Sequence, residues 1–91
     1  MYLAFLRIEI RIGGGPRAKR RTVRTILEKV HRHFNVSVAE VERSGHPSES
    51  VIGIASLAES RREAREVLDR VSDAVQAHPR AEVLSIEWNE V

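Results

Sequence analysis

Residues 16–41, PRAKRRTVRTILEKVHRHFNVSVAEV, decide how the chain is read. Pro16 suits a first helical turn, where its missing N–H leaves no partner unsatisfied. At roughly 100° per residue, Val23, Ile26, Leu27, Val30 and Phe34 fall within one sector and predict a buried stripe. Arg17, Arg21, Arg24 and Arg32 fall on a flank outside that stripe. Asn35 tolerates a left-handed backbone and is expected to close the helix near Phe34. Val36 to Val41 follows as a strand whose imperfect alternation suggests a bulge.

On the amino-terminal side, Leu3 to Ile12 alternates, with Leu6, Ile8, Ile10 and Ile12 pointing one way and Arg7, Glu9 and Arg11 the other. Gly13, Gly14 and Gly15 break this strand before Pro16, because glycine accepts positive φ. On the carboxyl side, residues 44–49 read as a loop. Val51 to Leu57 reads as a third strand with Ile52 and Ile54 inward and Val51, Gly53 and Ala55 outward. Ser60 followed by Glu63 is a capping box, and Ala64, Val67, Leu68, Val71, Ala74, Val75 and His78 repeat at helical spacing until Pro79. Glu82 to Trp88 alternates as a fourth strand with Leu84, Ile86 and Trp88 on one face. The order β-α-β-β-α-β with two right-handed crossovers predicts an antiparallel four-stranded sheet, order 4-1-3-2, with both helices on one face. This is a ferredoxin-like α+β sandwich, and residues 1–91 make one domain of it.

Composition agrees with a soluble globular chain: 42% hydrophobic and 31% charged residues are enough for a core without approaching the composition of disorder. No apolar run approaches the roughly 20 residues that span a bilayer, and the charged alternation of the amino terminus is unlike a signal peptide, so a cytoplasmic protein is expected. The absence of cysteine excludes disulfides, thiolate-bound zinc and thiol catalysis. The net charge of +2 conceals a division: residues 1–33 hold nine Lys/Arg against two Glu, and residues 34–91 hold six against eleven Asp/Glu. Such a division favours a polyanionic partner for one face, or else neutralisation between the two helices.

Lys19-Arg20-Arg21 with Val23-Arg24, then Phe34-Asn35-Val36-Ser37-Val38-Ala39-Glu40-Val41, then Val51-Ile52-Gly53-Ile54-Ala55, resemble the YlxP-like family of small bacterial proteins of unknown function. The resemblance covers most of the chain. It implies a ferredoxin-like fold and genes that often lie among those for translation initiation and ribosome maturation. It supplies no catalytic residue. Gly15-Pro16-Arg17-Ala18 and Gly45-His46-Pro47 depart from the family's usual pattern.

The chemistry-bearing residues point to binding rather than catalysis. Arg17, Arg21 and Arg24, at i, i+4 and i+7, make one ridge beside a helix amino terminus, where backbone N–H groups favour anions. With Lys19 and Arg20 they form the candidate nucleic-acid or anion site. The competing reading is a solvated face on which Glu28 pairs with Arg24 and Arg32. GGGPRAK lacks the spacing of a P-loop and of a dinucleotide fingerprint. The third strand has no aromatic residue, and Arg7, Glu9 and Arg11 follow Phe5, which argues against base stacking on the sheet. The flat strip Val51, Gly53 and Ala55 is instead a candidate interface, giving a homodimer. His31 and His33 lie about 200° apart on the helix, and His46 and His78 are isolated, so no metal or cofactor is expected. Ser44 and His46 read as a polar turn rather than part of a hydrolase triad. The expectation is a small non-catalytic protein that binds RNA or the ribosome through its basic first helix. The alternatives are a protein-interaction or structural homodimer without nucleic acid, and a small-ligand regulatory domain.

Overall fold

A computed structural model describes residues 1–90. Its elements are β1 (Tyr2–Arg11), α1 (Pro16–His33), β2 (Ser37–Glu42), β3 (Glu49–Ala58), α2 (Arg61–Gln76) and β4 (Glu82–Glu90). The sheet order is β2-β3-β1-β4 with every neighbouring pair antiparallel. This is the ferredoxin-like arrangement that the two crossovers predict.

The inward residues of β1, namely Ala4, Leu6, Ile8 and Ile10, are fully buried with Ile12 just beyond the strand. Ile52 and Ile54 of β3 join them. The helices close the core from one side: Val23, Ile26 and Val30 of α1, and Ala64, Leu68, Val71 and Val75 of α2. Leu27 and Phe34 are partly buried against the same core. The other face of the sheet carries no helix.

The helix starts are set by local chemistry. Gly14 and Gly15 have φ of 95° and 90°, a region that costs any residue with a Cβ. A Cβ on Gly14 would also stand 2.9 Å from that of Ala18. Pro16 then occupies the first turn of α1. At α2 the Ser60 hydroxyl accepts the Glu63 N–H at 3.2 Å, which is the capping contact.

Two expectations are corrected. The end of α1 does not use a left-handed Asn35: Phe34 turns extended (φ −133°) while its N–H still reaches the Val30 carbonyl at 3.0 Å. Among the described residues the one non-glycine positive φ is at Arg43. In β4, Leu84 does not share a face with Ile86 and Trp88: it is exposed while they pack against the core. The register passes from Glu9↔Ser85 to Ile10↔Val83, so Leu84 is the extra residue of a bulge. Val83, Ile86 and Trp88 face the core instead. A similar shift between Glu40 and Glu42 makes Val41 the extra residue of β2, as its broken alternation suggests.

Candidate nucleic-acid interface on the first helix

Arg17, Arg20, Arg21 and Arg24 are all exposed on α1. At offsets of 3, 4 and 7 residues they occupy adjoining positions on one face. The first turn of the helix contains no acidic residue. No ion pair among the described residues engages any of the four, nor Lys29, Arg32, Arg70 or Arg80. Six of the eight arginines outside α1 are engaged. Arg7, Arg11 and Arg43 pair with carboxylates on the sheet, and Arg61, Arg62 and Arg65 pair around α2. Among the described residues, neither a Glu28 pairing with Arg24 or Arg32 nor an ion pair between the two helices is present. The guanidiniums of Arg17, Arg20, Arg21 and Arg24 therefore face solvent with no ion pair among the described residues.

Lys19 leaves this group. It is only 1% exposed, and its ammonium bonds Glu40 at 2.9 Å, the Arg43 carbonyl at 2.8 Å and the Ser44 carbonyl at 3.0 Å. Glu40 also accepts the Ser50 hydroxyl at 2.6 Å. The physical reason is position: Lys19 is four residues before Val23 and seven before Ile26, so it continues the buried stripe by one turn. That spacing was visible in the sequence, beneath the run of basic neighbours. Lys19 is a clasp between α1, β2 and the turn after it.

The uncovered face of the sheet divides into two halves. Arg7 donates to Glu42 at 2.9 Å and to Glu9 at 3.0 Å. Glu9 and Glu42 are the register partners of Val51 on its two sides. Arg7 thus bridges across Val51, which is fully buried, so Val51 is not part of a free apolar strip. The guanidiniums of Arg7 and Arg43 hold the Glu9 carboxyl below its ordinary pKa. Beyond this network lies an open apolar groove of about 310 Å³, which keeps Gly53 and Ala55 and adds Phe5, Ala39 and Val41. Val41 lies over Gly53, where a Cβ would meet it at 2.8 Å.

The remaining candidates resolve as structural groups. His46 accepts the N–H groups of Ser48 and Glu49 on Nδ1, at 3.1 and 2.9 Å, which shapes the loop before β3. At the opposite end of the sheet, the Tyr2 hydroxyl and then Arg61 hold the Glu90 carboxyl below its usual range. Arg65 stacks 4.7 Å from the centroid of the Trp88 ring.

Comparison with known proteins gives a fold and a family. A solved structure titled "De novo designed protein Foldit4" is similar over 96% of both chains, with a TM-score of 0.57 and 22% identity, a likeness of fold alone. No curated protein matches the sequence. A family model described as "Protein of unknown function (DUF503)" matches residues 3–88.

Proposed function

The chain belongs to the DUF503 family of proteins of unknown function, and from that premise we propose that it is a small non-catalytic RNA-binding protein. The exposed Arg17, Arg20, Arg21 and Arg24 of α1 grip backbone phosphates. The carrying observation is that these four guanidiniums share one face and pair with no carboxylate among the described residues, whereas the sheet's arginines do. An unpaired guanidinium can be given to phosphate without first breaking a native ion pair. RNA of the ribosome is the setting that the resemblance to YlxP-like proteins implies.

The test is anisotropy of labelled ribosomal RNA fragments across roughly 50 to 200 mM salt. The wild type is expected to bind at micromolar concentration or tighter, with log affinity falling against log salt at a slope of about −2 to −4. An Arg17, Arg20, Arg24 to Ala triple variant is expected to lose about 100-fold and to show a slope shallower by about 2, from three phosphate contacts. Equal affinity of the two proteins, or no wild-type binding at the lowest salt, defeats the reading.

A second reading concerns the sheet, and the open apolar groove favours it. Phe5, Val41 and Leu57 are exposed large apolar side chains on this otherwise uncovered face, beside the small Ala39, Gly53 and Ala55. A second copy of the chain would bury them by face-to-face packing. Sedimentation equilibrium is expected to show a dimer for the wild type and a monomer for Val41→Glu. A wild-type monomer at 100-fold excess over the working concentration would eliminate it.

A further inference from the structure

A cleft of about 380 Å³ separates α1 from the turn that follows α2. Arg21, Thr22 and Thr25 form one wall, and His78, Pro79 and Arg80 form the other. No carboxylate lines it, and neither guanidinium is held in an ion pair among the described residues. Arg80 lies far from Arg21 in the chain, and only the packing of α1 beside the α2–β4 turn makes them neighbours.

The second wall is a hydrogen-bonded turn. The Ala81 N–H closes a turn onto the His78 carbonyl at 3.3 Å, with Pro79 fixing φ at the second position. The Arg80 N–H donates to His78 Nδ1 at 3.2 Å. An acceptor at Nδ1 places the proton of the neutral ring on Nε2. Burial, followed by the charges of Lys29 and Arg80, keeps His78 below its ordinary pKa and hence neutral near pH 7. The neutral ring therefore carries its N–H donor at Nε2. Thr25 donates its own hydroxyl to the Arg21 carbonyl at 3.0 Å, which leaves the two guanidiniums, the imidazole and the Thr22 hydroxyl as side-chain donors on the cleft.

We propose that this cleft is a phosphate seat, in which one phosphate group lies between Arg21 and Arg80 with the His78 Nε2–H as a third donor. The ligand chemistry is a phosphate oxyanion, whether carried by an RNA strand or free in solution. The RNA-borne form rests on the function proposed above and gives it a register, because one phosphate would be fixed in the cleft while its neighbours run along Arg17, Arg20 and Arg24. The volume exceeds that of a phosphate and leaves room for the attached sugars. Two guanidiniums facing one anion across a partly enclosed gap make charge-assisted bonds that a flat basic surface does not organise.

The experiment has two arms and a charge-matched control. In the first arm inorganic phosphate is titrated into the protein and followed by amide chemical shifts. Saturable shifts at Thr25, His78 and Arg80 are expected, lost in Arg80→Ala and retained in Arg70→Ala, which removes an equal charge from the outer face of α2. In the second arm the same variants are titrated with RNA. Arg80→Ala is expected to weaken binding about tenfold and to make the salt slope shallower by about 1, with Arg70→Ala near the wild type. Saturation by phosphate with RNA affinity indifferent to Arg80 assigns the seat to a free phosphate compound. Loss of RNA affinity in Arg80→Ala assigns it to the polynucleotide. If phosphate produces no saturable shifts and Arg80→Ala matches Arg70→Ala, the seat does not exist, even where RNA binds α1. If RNA does not bind at all, the RNA reading falls and the phosphate arm still decides the cleft.

Discussion

Lys19→Met is expected to lower the unfolding free energy by about 3 kcal/mol, the lower end of the range for breaking a buried ion pair by removing one partner. In a chain of this size that corresponds to a fall in Tm of roughly 15 °C. The ammonium satisfies one carboxylate and two carbonyls at once. Its loss leaves Glu40 with the Ser50 hydroxyl, takes the Lys19 donor from the Ser44 carbonyl, and leaves the Arg43 carbonyl with only the His46 N–H at 3.0 Å. Glu40 keeps some exposure (18%), so water recovers part of the loss, which is why the lower end applies. Removing both charges is far milder than removing one. The double variant Lys19→Met, Glu40→Leu is therefore expected to regain at least half of the lost stability. Urea unfolding followed by circular dichroism measures all three proteins. A Lys19→Met protein within about 0.5 kcal/mol of the wild type, the ordinary range for surface substitutions, would show that the clasp carries no weight.

The second large effect is a contrast between two leucines. Leu68→Ala is expected to cost about 3 kcal/mol, within the range for truncating a fully buried leucine. Leu68 has no exposed surface and sits in the core formed by α2 and the inward residues of the sheet. Leu84→Ala, the same chemical change, is expected to cost no more than about 0.5 kcal/mol, because the β4 bulge turns that side chain to solvent. Simple alternation along β4 predicts comparable losses instead, with Leu84 on the same face as Ile86 and Trp88. Equal losses for the two variants would mean that β4 is in the unbulged register. The two proteins also serve as a check on cooperativity, since an unchanged m-value would confirm that stability alone has moved.

The apolar groove and the basic helix lie on opposite sides of the molecule, because α1 packs on the inward face of the sheet. RNA on α1 and a second copy on the sheet would therefore not compete. A protein that is dimeric through its sheet would present two basic helices facing outward, which raises effective concentration on a long polyanion.

What the amino-acid sequence determined alone is the part governed by local periodicity and chain chirality. The period-2 run of β1, the 3.6-period stripes of α1 and α2, the Gly-Pro break at residues 13–16 and the Ser60 cap are each set by neighbours within a few residues. Right-handed crossovers then leave one sheet order for six elements in this sequence. The exposed ridge of Arg17, Arg21 and Arg24 was legible for the same reason, since helical spacing alone places it off the stripe. Tertiary structure decided what depends on partners distant in the chain. Lys19 reads as one more basic residue until Glu40 and the 43–44 carbonyls meet it inside. Val51 reads as an open apolar residue until Arg7 spans from Glu9 to Glu42 across it. Leu84 reads as core until the pairing of β4 with β1 inserts a residue and inverts the alternation. Arg80 reads as an isolated turn residue until packing sets it across a cleft from Arg21. Each of these outcomes is an electrostatic or register constraint between separate elements, and no pattern within a single element encodes it.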